Sequence, residues 1–275
     1  MAYKRVLTIQ DISCVGQCSL TVALPILSAC QLETAVLPSA VLSTHTGGFT
    51  GYTFRDLTED FSKIFAHWEK EKITFDAIYS GYLGSVKQVE LVCQIMQTAG
   101  KKDYQKICDP AMADNGKLYP AFNDEYVGAM QKLCAISDFV LPNITEACFL
   151  TGIKYQENYD EKYVADLCQK LQNLGAKNVV LTGVGYKKDC TGVVVAGKDL
   201  KYYEHEKIAK SYHGTGDVFA SVFVGALLQK KDAFCAAKMA ADFVLECIKI
   251  TQKDGEHWYG VKFEECLPKL IRDLQ

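Results

Sequence analysis

From residue 6 to residue 181 the chain alternates short apolar runs with longer stretches of helical spacing. Residues 6–9, 35–37, 77–79, 107–108, 139–141 and 179–181 read as strands. Residues 19–29, 60–70, 86–99, 125–134 and 160–174 place apolar side chains on one helical face. A chain that alternates in this way has few solutions. Parallel neighbours need a crossover, and the crossover is a helix packed on the sheet. The alternation therefore predicts an α/β fold, a mostly parallel central sheet with helices on both faces, and one domain over residues 1–275. Just past successive strands stand Asp11, Thr46, Tyr82, Asp109, Asn143 and Thr182. In an open parallel sheet those ends share one edge, and ligands bind there.

Composition narrows the partners. The formal net charge of −3 comes with no basic block, which argues against nucleic acid and anionic membranes. No apolar run is long enough to span a bilayer, and residues 1–5 do not resemble a signal peptide. The 12 cysteines are unevenly spaced, form no Cys-x-x-Cys, and sit largely on apolar faces. They read as small buried hydrophobes in a reducing cytoplasm.

The chemistry concentrates at Tyr212-His213-Gly214-Thr215-Gly216-Asp217. The next residues, from Val218 to Leu228, are apolar nearly all round, which predicts a buried helix with Gly214-Thr215-Gly216 at its N-terminus. Bare N–H groups and the helix dipole make that end an anion site. A carboxylate fixed there repels a stored anion. Asp217 fits better as a base that takes a hydroxyl proton while the backbone stabilises a phosphoryl group in flight. Singly, Gly-x-Gly-Asp also fits a plain capped loop. Asn143-x-x-Glu146 puts an amide and a carboxylate at another helix start, and Asp109 and Asp114 flank a short turn. Two or three such carboxylates would hold Mg²⁺ through water. Capping explains each of them singly as well. Gly192 to Asp199 nearly matches a P-loop. It fails because Asp199 stands where a magnesium-binding hydroxyl is needed, and because the segment reads as a β-hairpin turning at Gly197-Lys198.

Taken in order, Asp109-Pro110-x-x-x-Asp114, Asn143-x-x-Glu146 and Gly214-Thr215-Gly216-Asp217 resemble the ribokinase superfamily. Within it, Ile9-Gln10, Ser43-Thr44-His45-Thr46-Gly47 and Ser80-Gly81-Tyr82 resemble the vitamin B6 kinases, the pyridoxal and pyridoxamine kinases. That resemblance implies a ribokinase-like fold and ATP-dependent phosphorylation of the vitamer's 5′-hydroxymethyl group. Asp217 would be the base, and Gly214, Thr215 and Gly216 would face the transferring phosphoryl. Asp109, Asn143, Glu146, Thr182, Gly183, Tyr212 and Thr215 would line the ATP site. Asp109, Asp114 and Glu146 would support Mg²⁺, and K⁺ assists in many members. Asp11, His45, Thr46 and Tyr82 would meet the pyridine with Asp217. A cytoplasmic homodimer is implied too.

Asp11 departs from the serine usual in these kinases, so its carboxylate is expected to pair with the amine of pyridoxamine. Leu141 stands where a hydroxyl residue often lies near the monovalent ion, and His213 is an uncommon residue before the glycines. Two other readings stay open. One is a hydroxymethylpyrimidine kinase of thiamin synthesis, which shares the same parts. The other is a non-catalytic B6 or nucleotide binder, although plain binding gains nothing from carboxylates aimed at a phosphate.

Overall fold

The computed structural model describes residues 3–275. Its centre is a nine-stranded sheet. Strands β1 (Arg5–Ser13), β2 (Glu33–Leu42), β4 (Phe75–Ser80), β5 (Gly100–Cys108), β8 (Phe139–Val140) and β9 (Asn178–Thr182) run parallel. Antiparallel strands finish both sides: β3 (Phe54–Asp56) on β2, and the hairpin of β10 (Cys190–Ala196) and β11 (Leu200–Glu206) on β9. The spatial order is β11-β10-β9-β8-β5-β4-β1-β2-β3. From β1 the chain goes first to β2 and then crosses to β4 on the other side, so the order reverses between β1 and β4. The crevice beyond that reversal is where open α/β sheets take ligands. The hairpin over the P-loop-like segment has the expected form, with Val193 opposite Tyr203. A second, two-stranded sheet pairs β6 (Ala113–Asp114) with β7 (Lys117–Leu118), which strand periodicity did not reveal.

Alternation along each strand builds two cores. On one face Leu7, Ile9 and Ile78 pack with helices α2 (Thr58–Lys70), α3 (Val86–Thr98), α4 (Asp124–Ala135), α5 (Ile144–Thr151) and α6 (Glu161–Asn173). On the other face Val6, Ala77 and Tyr79 meet α1 (Leu20–Ala29), α7 (Thr215–Leu228), α8 (Ala233–Thr251) and α9 (Leu267–Leu274). The helices on both faces are the layers the alternation predicts. Their ends follow local chemistry. Ser85 caps α3 by accepting the Gln88 N–H, and Asp160 caps α6 from Tyr163. Pro25 lies within α1. Helix α7 is buried along nearly its whole length, and Val222 and Phe223 have no exposed surface. Each such side chain contributes about 1.5–3 kcal/mol, so the position of its N-terminus is strongly anchored. No described helix is long and apolar enough to cross a membrane.

Candidate active site

A cavity of about 440 Å³ opens beyond the C-terminal ends of β5, β8 and β9 and over the start of α7. Its walls bring together Asp109, Asp114, Asn143, Glu146, Thr182, Gly183, Tyr212 and the whole stretch from Gly214 to Asp217. Residues spread over more than a hundred positions therefore converge, as strand ends in one sheet should.

The floor is the first turn of α7. Gly214 is its N-cap, at φ 76° and ψ −1°, a left-handed conformation that glycine adopts without strain. A Cβ there would overlap the Gln17 carbonyl oxygen and lie 3.2 Å from Cys18 Sγ. The backbone of residues 17–18 is thus pressed against the turn. At Gly216, by contrast, a Cβ would meet nothing within 4 Å. That glycine faces open cavity, where an added methyl would take a ligand's space rather than the protein's. The Thr215 hydroxyl donates to the Tyr212 carbonyl at 3.2 Å and holds the turn closed.

Asp217 sits in that first turn. It is half-buried and lines the cavity. Burial raises its pKa to about 7, the Ser19 backbone N–H works against this, and the charge of Asp11 adds to it. A base with a pKa near neutrality suits proton abstraction near pH 7.

The acidic wall divides into two kinds of group. Glu146 Oε2 accepts the Asn143 backbone N–H at 2.8 Å, and Asn143 Oδ1 accepts the Glu146 N–H at 2.9 Å. This is a complete capping box on α5. Glu146 Oε1 also accepts the Met112 N–H at 3.1 Å, and Asn143 Nδ2 donates to the Ala113 carbonyl at 2.9 Å. The pair therefore ties the turn carrying Asp114 to the start of α5. Burial raises Glu146 to about 8 even so. Asp109 differs: it is 8 % exposed, and among the described residues its carboxylate accepts no hydrogen bond. Burial first, then the charges of Glu146 and Asp217, push its pKa well above the usual carboxylate range. Asp114 is exposed and accepts the N–H of Asn115 at 2.8 Å. Among the described residues no group of three or more His, Cys, Asp or Glu side chains is arranged to hold a metal directly. The expected trio of Asp109, Asp114 and Glu146 is thus not a ready chelate. Its fit to Mg²⁺ lies in Asp109, a buried carboxylate without a protein partner.

Asn143 should contribute to stability through its cap. Asn143→Ala is expected to cost roughly 1–2 kcal/mol. A urea denaturation midpoint equal to that of the unaltered chain would show that the cap contributes nothing.

The residues expected around the pyridine form a neighbourhood of their own. They do not line this cavity, apart from Asp217. Asp11 is buried, and its oxygens accept the hydroxyls of Ser19 at 2.5 Å and Ser13 at 3.0 Å. Its carboxylate is thus turned toward two serines, which the sequence reading did not foresee. His45 is buried, with Nε2 2.9 Å from the Tyr259 carbonyl and Nδ1 accepting the Gly47 N–H at 3.0 Å. Both contacts are met by the neutral ring carrying its proton on Nε2, and burial lowers its pKa accordingly. Its ring lies 5.0 Å from Phe49 and 5.5 Å from His213, so the 43–49 loop abuts the residue that precedes Gly214. Thr46 is exposed, and Tyr82 is half-buried, its pKa raised to about 12 by burial and by Asp11.

Several lining residues were not singled out from the sequence. Val193, Ala241, Val244 and Ile248 form an apolar slot together with Leu141 and Phe219, and Tyr119 and His205 also line the cavity. Ala241, Val244 and Ile248 belong to the apolar stripe of α8, which reads equally as core. Lys187, close after Thr182-Gly183, pairs instead with Glu204 at 2.7 Å.

Comparison with known proteins places the chain in a family. Residues 29–261 match the phosphomethylpyrimidine kinase family. A phosphomethylpyrimidine kinase structure from Bacteroides thetaiotaomicron superposes with a TM-score of 0.95 at 33 % identity, covering 98 % of this chain and 94 % of that one. A second crystal form of that protein contains pyridoxal. The pyridoxal kinase of Lactobacillus plantarum gives a TM-score of 0.91 at 31 % identity, covering 98 % and 97 %. Pyridoxal kinase of Dictyostelium discoideum is 27 % identical over 238 residues, 80 % of this chain and 77 % of its own. A hydroxymethylpyrimidine/phosphomethylpyrimidine kinase of Aquifex aeolicus is 28 % identical over 195 residues, 70 % and 74 % of the two chains. The fold and the site define a small-molecule kinase. The chain belongs to the phosphomethylpyrimidine kinase family, and pyridoxal kinases are among the proteins it is similar to.

Proposed function

We propose that this kinase transfers the γ-phosphoryl group of ATP to the 5′-hydroxymethyl group of a B6 vitamer. The observation that carries the reading is Asp217. It is a carboxylate with a pKa of about 7 in the first turn of a buried helix, beside exposed backbone N–H groups at an open cavity. Phosphoryl transfer asks mainly for positioning and charge neutralisation. Asp217 takes the proton of the attacking hydroxyl. The N–H groups of residues 214–216 receive the charge of the phosphoryl oxygens. The apolar slot between Val193 and Ile248 suits a flat nucleotide base, with Thr182 and Gly183 at the phosphate side. Asp109 and Glu146 would hold Mg²⁺ through water at that side. The metal would neutralise phosphate charge when bound.

The B6 assignment draws support from the 43–49 loop, which abuts the Asp217 end of the site, and from the pyridoxal kinases among the relatives. Hydroxymethylpyrimidine is the competing substrate, favoured by the family match and the Aquifex relative. The test is kcat/KM for pyridoxal, pyridoxine, pyridoxamine and hydroxymethylpyrimidine under Mg·ATP. A B6 vitamer at least tenfold ahead is the expected result. A lead for hydroxymethylpyrimidine hands the site to the competing reading.

A further inference from the structure

Ser19 has an unusual backbone for its residue type. It stands at φ 53° and ψ −128°, a conformation that glycine enters freely and other residues avoid. It is the N-cap of α1, yet its side chain does not cap the helix. The hydroxyl donates instead to Asp11 Oδ1 at 2.5 Å, and the residue is 5 % exposed. The loop before it is confined on both sides. A Cβ on Gly16 would strike the His45 ring, and one on Gly214 would strike the Gln17 carbonyl. Thr21 Oγ1 closes the loop through the Gly16 and Cys18 carbonyls at 3.1 and 2.7 Å. The loop thereby lies against the first turn of α7, where the Gln17 carbonyl and Cys18 Sγ meet Gly214, and the Ser19 backbone N–H favours the charged form of Asp217. A serine held against its own preference thus links a carboxylate at the end of β1 to the base at the start of α7.

We propose that Ser19 is a positioning residue: its hydroxyl, anchored on Asp11, holds residue 19 in a glycine-like conformation that aims its backbone N–H at Asp217 and sets the direction of that carboxylate. The inference rests on Asp217 being the base. It also gives Asp11 a task inside the protein, separate from any contact with the vitamer. The link is cooperative, because the anchor matters only while residue 19 resists the conformation. Where residue 19 takes that conformation freely, the anchor is dispensable.

The test compares Ser19→Ala with Ser19→Gly. Both lose the hydroxyl, but only alanine is strained at positive φ. Ser19→Ala is expected to lower kcat at least tenfold with KM for ATP within twofold. Ser19→Gly is expected to keep more than a third of kcat. Asp11→Ala combined with Ser19→Ala should lose no more than Asp11→Ala alone. Crystal structures of the two Ser19 variants should show φ of residue 19 negative in the alanine protein and positive in the glycine protein. Equal losses in both variants, or full kcat in Ser19→Ala, would overturn the assignment, as would an alanine φ that stays positive. If the alanine variant does not fold, glycine decides alone, with kcat below a third counting against the proposal. The assay uses whichever alcohol the unaltered protein phosphorylates, so failure of the vitamer reading leaves the comparison intact. Should no alcohol turn over, the base assignment itself falls, and the two crystal structures still decide the conformational claim.

Discussion

Replacing Asp217 with asparagine is expected to lower kcat by roughly 10²–10⁴-fold, the usual worth of a positioned base, while KM for ATP changes only a few-fold. The amide keeps the shape of the side chain but cannot take the proton. Steady-state kinetics with both substrates varied would check this, and equal loss of turnover and ATP binding would make Asp217 structural. The pH dependence follows from the same burial. With a pKa of about 7, the ionised fraction of Asp217 falls about tenfold per unit below that pH. Wild-type kcat/KM should fall in step, and the residual activity of Asp217→Asn should lack that limb. Stability moves the other way. The folded-state pKa lies above the ordinary carboxylate value of 3.8, so the folded protein binds the extra proton between the two. Stability is therefore lost as pH rises from about 4 to 7 and stays lost above. Asp217→Asn removes that cost. Its Tm at pH 8 should exceed the wild type by ~2 °C or more, and the gap should close near pH 4.

Gly214→Ala is expected to be nearly as damaging, for a steric reason. The new methyl would overlap the Gln17 carbonyl oxygen and occupy a backbone at φ 76°, so either α7 or the 16–19 loop must move. Helix α7 is locked by its buried length, so the local turn yields and its N–H groups lose their aim. Losing one such donor costs roughly 10²–10³ in rate. Gly216→Ala meets no protein atom, so it should leave Tm alone and raise KM for ATP instead. A Gly214→Ala enzyme with wild-type kcat would mean that the turn is not the anion site.

How far these residues were legible depends on what kind of physics places them. The layered α/β architecture was readable because alternation and helical spacing are local patterns. The buried α7 was readable for the same reason, and with it the place of Gly214 and Asp217. Strand β3 was not, because three exposed residues carry no alternation. Asn143 and Glu146 were found by spacing, but i, i+3 fits a capping box and a phosphate contact equally. The structure shows that the box is complete, so the two side chains serve α5 first. Asp11 was seen as a departure and assigned to the vitamer, whereas its oxygens meet Ser13 and Ser19. Ser19 itself was invisible, because nothing in a serine announces a positive φ. That conformation is imposed by tertiary contacts with β1 and α7. The apolar slot of Val244 and Ile248 was hidden for a related reason, since a stripe that lines a cavity has the same spacing as one that fills a core.

Asp217-assisted transfer of a phosphoryl group from ATP to a vitamer alcohol underlies the predictions above. The most direct test incubates the purified protein with Mg·ATP and pyridoxal, and follows formation of pyridoxal 5′-phosphate together with ADP, beside Asp217→Asn. Asp217-assisted transfer predicts matched formation of both products by the wild type and loss of both, by at least two orders of magnitude, in the variant. ADP formed without the phosphorylated vitamer, or an Asp217→Asn protein as active as the wild type, would contradict it.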